Sequence, residues 1–358
     1  MSQEIRFAHV ASGARIAWAA QGRGTPLLRA AHWMTHVGHD AQSPVWQPWL
    51  SRLGREFRFV RYDERGCGMS GPDDDTPLSL ETAVEELAVV ADDAKLDRFA
   101  LLGISGGAPP AIAYAVRHPT RVSHLVLLGA YACGTLAGEP SAEQRAWVHA
   151  TQRLVELGWG RAGAPVQQFF TSTLIPGGTA EQAHALNEQQ RLCCGPARAA
   201  ALLQARLMLD VRALLPQLRC PTLVLHVDQD AAVSLESGRN LAAGIAGARF
   251  VALPGRNHIP LGGEPAFEQF CDAVAGFVRS PLQDTSSGNG GDGGADFTAR
   301  ERSLLHLVAA GRDNLQIGAE LGLADKTVRN ALSRLYTRLG VEGRPQAVVR
   351  ARDLGFGG

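Results

Sequence analysis

Two periodicities alternate along the first 280 residues of the chain. Short apolar runs, many of them rich in β-branched residues, are followed by longer segments with the spacing of amphipathic helices. The runs that we predict as strands are residues 5–10, 15–20, 26–31, 57–62, 99–103, 122–128, 222–227 and 248–253. The first two are joined by a hairpin-length connection, whereas a later spacer, 80–96, is long enough for a crossover helix. The pattern therefore predicts an α/β fold with one mostly parallel, eight-stranded sheet.

The strand pattern is interrupted between residues 131 and 216, which are rich in Gln, Ala and Leu. Two turn-forming strings, TLIPGGT and CCGPAR, divide this segment. We predict a helical insertion between two strands of the sheet.

A third kind of pattern begins at residue 281. Residues 281–296 are rich in Gly, Ser and Asp, and Leu282 is their large apolar residue, so burial cannot offset the entropy of ordering them. We therefore predict a flexible linker at 281–296, between a domain at 1–280 and a smaller domain at 297–358.

The smaller domain shows helical patterns throughout. Thr298 can cap a first helix that ends at Gly311, a second helix covers Asn314–Leu321, and a third begins near Asp325. The third helix has one apolar face and one polar, basic face. Two short helices joined by a tight turn, the second with a basic outer face, favour a helix-turn-helix. A small helical bundle with a solvated charged face is the alternative.

Composition narrows the class of protein. The chain has 45% hydrophobic and 20% charged residues, which excludes a disordered or fibrous protein. It contains neither a run of about 18 apolar residues nor a secretory signal pattern, so we expect a cytoplasmic protein with no membrane partner. Its six cysteines lack CxxC spacing, so we expect reduced thiols and no metal site. Net charge is zero, but residues 297–358 carry ten basic against six acidic residues, whereas the remainder carries 25 against 29.

One serine lies in a strand, sharp turn and helix arrangement. The predicted strand 99–103 leads into Gly-Ile-Ser-Gly-Gly, with Ser105 at the tip, and APPAIAYAVRHP continues as a helix. A serine nucleophile needs a base, and the base needs an orienting acid. Asp228 and Asp230 follow the strand 222–227, and His258 follows the last strand. The alternative is structural: Asp230 as a helix cap and His258 as an ordinary loop residue.

Three further strings extend this pattern. DERGCGMS (63–70) resembles the DxRGxGxS turn of the α/β-hydrolase superfamily, HVDQD (226–230) its HGxxD motif, and PGRNH (254–258) its PGxxH motif. Residues 1–280 therefore resemble that superfamily. The resemblance implies Ser105 as nucleophile, Asp230 as acid, with Asp228 as the alternative, and His258 as base.

The resemblance also implies an oxyanion hole and a lid. The backbone N–H groups of Gly106 and Trp33 would form the hole, although Trp33 stands where the superfamily usually has Gly. The insertion at 131–216 would be a lid, whose large side chains either line a cavity or pack its own core: Trp147, Trp159, Phe169, Phe170 and Met208. A cluster of histidines, His32, His36 and His39, offers metal ligation as an alternative, but we expect one near the cavity and the others hydrated.

The smaller domain resembles the LuxR-type DNA-binding domain. The matching strings are FTARE, KTVRNALSRLYTRLGV and RPQAV, with departures at Leu315, Gly318 and Ala331. This resemblance implies that one set of side chains meets DNA: Lys326, Thr327, Arg329, Asn330, Ser333 and Arg334. It also implies a homodimer on a two-half-site operator, formed through the helix near 345–354 and contacts of the larger domain.

Together these resemblances predict a transcriptional regulator. Its hydrolase-like domain would sense a small ester, lactone or carbonyl ligand, and its smaller domain would bind promoter DNA; no cofactor is expected. The alternative is a serine hydrolase, an esterase, lactonase or amidase, with an accessory DNA-binding tail. A third hypothesis joins the two, a sensor that destroys its own signal. Whether the Ser105, Asp230 and His258 triad turns over stays open.

Overall fold

The structure is a computed structural model that describes residues 3–11, 13–71, 77–161, 165–280, 297, 299–321, 325–339, 341 and 343–356. It divides into two compact units, Met1–Leu282 and Gln283–Gly358. The predicted linker at 281–296 and the predicted helix cap Thr298 lie outside the described residues.

Eight strands in the described part of the first unit form one sheet. They are β1 (Glu4–His9), β2 (Arg15–Gln21), β3 (Pro26–Arg29), β4 (Arg58–Tyr62), β5 (Phe99–Ile104), β6 (Val122–Leu128), β7 (Thr222–Val227) and β8 (Arg249–Leu253). Their order is β1-β2-β4-β3-β5-β6-β7-β8, and β2 pairs antiparallel with both β1 and β4, while the other pairs are parallel. The predicted α/β sheet is therefore confirmed. β3 is shorter than predicted because the chain leaves the sheet after Arg29 to form the loop that carries Trp33.

Helices cover both faces of the sheet. They are α1 (Val37–Asp40), α2 (Gln47–Glu56), α3 (Leu80–Asp93), α4 (Ala108–Arg117), α9 (Leu235–Ala243) and α10 (Pro265–Arg279). One core packs α3, α4 and α9 against the sheet, and the other packs α2 and α10 against its opposite face. The long apolar strands β5, β6 and β7 lie between these cores and are almost wholly buried, as parallel central strands are.

The predicted helical insertion is confirmed. Between β6 and β7 the chain forms α5 (Ala142–Gly158), α6 (Pro165–Leu174), α7 (Ala180–Cys193) and α8 (Pro196–Met208), then a short 3₁₀ segment. Capping boxes begin two of these helices, Ser141 with Gln144 and Thr179 with Gln182. We call α5 to α8 the lid. Trp159 belongs to a small core that joins the lid to Met34 and Cys67 of the body, whereas Met208 is 52% exposed.

The second unit consists of α11 (Ala299–Ala309), α12 (Asn314–Leu321), α13 (Asp325–Leu339) and α14 (Arg344–Asp353). The apolar face of α13 packs into its core through Val328, Leu332 and Leu335. α11 ends just before Gly311, whose φ of 76° suits glycine at a helix terminus. Helices α12 and α13 follow one another along the chain, as the predicted helix-turn-helix requires. Within the described part of both units, no helix combines the length and apolar character that a membrane crossing needs.

Candidate functional site

Ser105 lies at a strained turn between β5 and α4. Its φ is 49°, in the left-handed region that non-glycine residues rarely adopt. Two glycines make the turn sterically feasible. A Cβ on Gly103 would lie 2.7 Å from Cα of Ala108, and a Cβ on Gly107 would lie 2.7 Å from the carbonyl oxygen of Ala31. The turn leaves Ser105 on the wall of a cavity, as a nucleophile elbow does.

Asp230 and His258 meet in the loops that follow β7 and β8. Nδ1 of His258 lies 2.6 Å from Oδ2 of Asp230, and both side chains are buried. The other carboxylate oxygen, Oδ1, accepts hydrogen bonds from the backbone N–H of Ala232 at 2.8 Å and of Val233 at 3.0 Å. With Nδ1 donating to Asp230, Nε2 of His258 is left as a proton acceptor, which is the state a general base requires.

The surroundings of Asp230 keep it ionised. Burial by itself would raise the pKa of Asp230, but the hydrogen bond from His258 and those from Val233 and Ala232 outweigh it and hold the pKa below its ordinary value. Asp228 is placed differently, because its Oδ1 accepts the backbone N–H of Gly255 at 3.0 Å and its side chain is exposed. Of the two carboxylates considered from the sequence, Asp230 is the one that contacts His258.

The structure does not join Ser105 to His258 by a hydrogen bond. Nε2 of His258 is buried and has no hydrogen-bond partner among the described residues. Catalytic hydrogen bonds of this kind often tighten only when a substrate is bound. The Asp230–His258 pair thus leaves Nε2 of His258 able to accept a proton.

A second histidine, which the sequence analysis did not assign, supports the acid. Nε2 of His226 lies 2.9 Å from the carbonyl oxygen of Val233 and 3.5 Å from Oδ2 of Asp230. Burial lowers the pKa of His226, which keeps the ring neutral and able to donate to Val233. The sequence signal for this role of His226 was its position at the start of the HVDQD string.

The cavity beside Ser105 measures about 1110 Å³ and lies beneath the lid. Trp33 and Gly106, the predicted oxyanion-hole residues, both line it. The Trp33 ring packs against Phe170, with ring centroids 5.3 Å apart, and so brings the loop after β3 into contact with the lid. Of the five lid residues considered as lining, three contribute to its wall: Trp147, Phe169 and Phe170. The aromatic side chains in its wall suit a partly apolar small molecule.

Arg206 brings a positive charge from α8 into this cavity. Its side chain is 12% exposed, and Nη2 lies 2.8 Å from Oε2 of Glu64 in the turn after β4. A Cβ on Gly106 would lie 2.7 Å from Cδ of Arg206, so the arginine lies directly over the elbow. Burial raises the pKa of Glu64 to about 7, although Arg206 opposes the rise. Periodicity could not single out Arg206, because its role depends on contact with a residue far away in the chain.

The three histidines near Trp33 do not come together as one group of ligand atoms. The described His, Cys, Asp and Glu side chains that approach closely enough to share an ion do not include His32, His36 or His39. His32 is buried against Trp46, and burial lowers its pKa well below the ordinary value. His36 is not simply hydrated as expected, because its Nδ1 accepts a hydrogen bond from the backbone N–H of His39 and caps α1.

Comparison with known proteins finds two families in the chain. The family model described as "Serine aminopeptidase, S33" matches residues 49–265. The chain belongs to this α/β-hydrolase family. The model "Bacterial regulatory proteins, luxR family" matches residues 295–351, so the chain also carries a LuxR-type helix-turn-helix domain.

Individual relatives fall into the same two groups. RutD of Klebsiella pneumoniae (strain 342), a protein named for carbamate hydrolysis, is 28% identical over 219 residues, which are 59% of this chain and 79% of that protein. The DNA-binding transcriptional activator DevR/DosR of Mycobacterium tuberculosis (strain ATCC 25618 / H37Rv) is 48% identical over 58 residues, 16% of this chain and 27% of that protein. The esterase EaEST from Exiguobacterium antarcticum superimposes with a TM-score of 0.65 at 21% identity, covering 76% of this chain and 99% of its own, and shows the shared fold.

In the LuxR-type domain, α13 is the second helix of the helix-turn-helix, the position that the recognition helix has in this motif. Thr327 and Arg329 are exposed on it. The other side chains predicted to meet DNA lie outside those that the structure describes: Lys326, Asn330, Ser333 and Arg334. These two exposed residues lie on either side of the apolar stripe that includes the buried Val328 and Leu332.

Proposed function

We propose that this chain is a ligand-responsive transcriptional regulator. Its hydrolase-family unit binds a small ester, lactone or other carbonyl compound, and its LuxR-type domain binds promoter DNA. The observation that carries the proposal is the presence, in one chain, of a recognition helix and a cavity of about 1110 Å³ that opens at Ser105. An enzyme that served catalysis alone would not need a recognition helix.

The walls of the cavity favour a ligand with a carbonyl group at Ser105. The Ser105 hydroxyl can donate a hydrogen bond to that group, and the backbone N–H groups of Gly106 and Trp33 are the proposed donors for its oxygen. Phe169, Phe170 and Trp147 offer an apolar surface for the rest of the molecule. Arg206 provides a positive charge close to the reacting atoms, which favours ligands with electron-rich oxygens.

Slow turnover of the ligand is the second part of the proposal. The Ser105 oxygen would attack the ligand carbonyl carbon while Nε2 of His258 takes the hydroxyl proton, and ionised Asp230 would stabilise the resulting imidazolium. Collapse of the tetrahedral intermediate would expel the alcohol, which takes the proton from His258. Water, activated in the same way, would then release the acid and restore Ser105. The 2.6 Å contact between Asp230 and His258 also favours the second candidate, a working serine hydrolase with a DNA-binding tail.

DNA recognition in the proposal rests on α13 and on pairing of two chains. Arg and Asn side chains read guanine and adenine edges, whereas Lys and Ser more often contact phosphate. The second unit carries only a small excess of positive charge, so one copy has limited electrostatic affinity for DNA. We therefore propose a cytoplasmic homodimer on two half-sites.

The test compares wild type with Ser105→Ala in an operator-binding assay and in an ester-hydrolysis assay. Fragments of the native genome selected by the full-length protein serve as operators, and a panel of esters and lactones is screened for compounds that shift operator affinity. A regulator that only senses gives a lasting response in both proteins, although Ser105→Ala needs more ligand because the hydroxyl contact is lost. A sensor that destroys its signal shows a response that decays in wild type alone. The matched control is Ser172→Ala, another serine of the cavity wall. If no fragment is bound selectively and esters are hydrolysed rapidly, the hydrolase is the correct function.

A further inference from the structure

Three cysteine side chains meet where the lid joins the body of the first unit. Cys67 lies in the turn after β4, whereas Cys193 is the last residue of α7 and Cys194 follows it. Their Sγ atoms all lie within 4.8 Å of one another, and the three are free thiols. Cys67 and Cys193 are buried and Cys194 is partly buried. We call these three residues the thiol cluster.

A fourth sulfur borders the thiol cluster. Sγ of Cys194 lies 3.8 Å from Sδ of Met34, and Sγ of Cys193 donates to the carbonyl oxygen of Thr35 at 3.2 Å. Met34 is held with a φ of 56° and is almost wholly buried. Among the described residues, neither a histidine nitrogen nor a carboxylate oxygen belongs to the group of atoms close enough to share an ion there. The donors at this place are therefore all sulfur.

The spacing of the thiol cluster matches one ion held by three thiolates. Metal–thiolate bonds of about 2.3 Å place three sulfurs about 4.0 Å apart in a planar triangle. The present limit of 4.8 Å between the sulfurs is close to that value. Thiolates and thioethers select soft ions such as Cu(I), whereas a structural zinc site requires a fourth strong ligand in a tetrahedron. The thioether of Met34 is suited to Cu(I) and is not a usual zinc ligand.

We infer that Cys67, Cys193 and Cys194 bind one Cu(I) ion in trigonal thiolate coordination. This inference does not rest on the proposed function, since its test measures the metal alone. The bound ion would also link two parts of the first unit, because its three ligands come from two different segments. One ion would connect the turn after β4 to the lid, because Cys67 belongs to the first and Cys193 and Cys194 to the second.

Hydrogen bonds extend that connection to the cavity. Nε2 of Gln189 on α7 donates to the carbonyl oxygen of Met34 at 2.8 Å, and Nε1 of Trp159 donates to that of Cys194 at 3.1 Å. Met34 directly follows Trp33, which lines the cavity. Bound Cu(I) would thus hold the lid against the loop that carries Trp33.

The test is an anaerobic titration of the reduced, metal-free, full-length protein with Cu(I) buffered by bicinchoninate. We expect one tightly bound Cu(I) per chain, thiolate-to-copper absorption in the ultraviolet, and three sulfur neighbours by X-ray absorption. Cys67→Ser and Cys194→Ser each remove a ligand, so each should weaken binding by more than the roughly 10- to 100-fold that loss of a ligand's hydrogen-bond partner costs. Cys220→Ser is the matched control, because Cys220 is a free, partly buried thiol outside the thiol cluster.

Several results would overturn the inference. One is equal Cu(I) affinity in wild type and Cys67→Ser. Another is a loss of Cu(I) affinity in Cys220→Ser as large as the loss in Cys67→Ser. A third is fewer than three sulfur neighbours of copper in wild type. Zn(II) that displaces Cu(I) from the same three cysteines would also overturn it. Circular dichroism checks that the variants fold, and the wild-type stoichiometry and sulfur count decide the question if one of them does not.

Discussion

At the residue scale, the Asp230 carboxylate shows how local hydrogen bonding decides a chemical role. Burial disfavours its charge, yet three donors compensate, and the charge in turn fixes the ring of His258. The pair is therefore assembled before any ligand arrives. In the proposed mechanism, the contact between Ser105 and Nε2 of His258 forms when a ligand binds.

The first prediction removes that charge without changing the shape of the side chain. Asp230→Asn should slow labelling of Ser105 by a fluorophosphonate probe by roughly 10³ to 10⁴-fold, because His258 loses both its tautomer and the partner of its imidazolium. Asp228→Asn is the control and should label at the wild-type rate, since Asp228 bonds to Gly255 instead. The assignment of the acid is wrong if the two variants exchange these behaviours.

The second prediction concerns the buried carboxyl of Glu64, whose pKa burial raises from 4.5 to about 7. Between these values the unfolded chain is ionised while the folded chain keeps its proton, so stability is full below pH 4.5 and is lost as the pH rises through 7. The loss amounts to about 3 kcal/mol.

Glu64→Gln has no such proton to lose. Its free energy of unfolding, measured with urea from pH 4.5 to 8, should rise relative to wild type as the pH increases. Glu181→Gln, at an exposed position of the lid, should run parallel to wild type. Parallel curves for Glu64→Gln as well would show that Glu64 is ionised throughout.

At the element scale, the elbow depends on backbones that approach each other closely. β5, the 3₁₀ turn and α4 fit only because Gly103 and Gly107 lack a Cβ. The contact on Gly107 is the carbonyl oxygen of Ala31, at the start of the loop that carries Trp33. A side chain at Gly107 would therefore disturb both halves of the proposed oxyanion hole.

The third prediction tests this packing. Gly107→Ala should destabilise the first unit by about 1–3 kcal/mol, because the new methyl group must displace backbone rather than a flexible side chain. Gly276→Ala is the control in an exposed turn of α10, where a Cβ would meet nothing within 4 Å. It should raise stability by about 1 kcal/mol through helix propensity. Urea unfolding measures both, and equal effects would contradict the steric argument.

The sequence predicted elements better than the contacts between distant elements. Apolar runs located all eight strands, most clearly β5, β6 and β7, which are buried on both faces, and the motifs around Ser105, Asp230 and His258 are short enough to recognise. The Arg206–Glu64 pair and the thiol cluster are different. Both depend on how the lid packs against the turn after β4, and the periodicity of a single segment does not predict that packing.

At the scale of the whole molecule, one chain combines a small-molecule cavity with a recognition helix. Each belongs to its own compact unit, and each unit has its own core. Substitutions in one unit should therefore leave the folding of the other unchanged, which allows DNA binding and ligand binding to be measured separately.

The fourth prediction uses this separation. Arg329→Ala, on α13, should weaken binding to a selected operator by about 1–3 kcal/mol and relax its sequence preference. Arg350→Ala removes the same charge from an exposed position on α14 and should weaken binding less, and equally for all sequences. Fluorescence anisotropy with operator and scrambled DNA measures both. Equal, sequence-independent losses would place the reading of bases elsewhere.

The ion pair between α8 and the turn after β4 has a consequence for kinetics. Moving α8 outward would pull Arg206 away from Glu64, and both groups would have to be hydrated in the same movement. Exchange of the cavity's contents should then quicken with added salt and with acid, even where the equilibrium affinity hardly changes. A ligand with a negatively charged oxygen could pair with the Arg206 guanidinium as it enters the cavity. The rate of entry would therefore depend on the charge of the ligand.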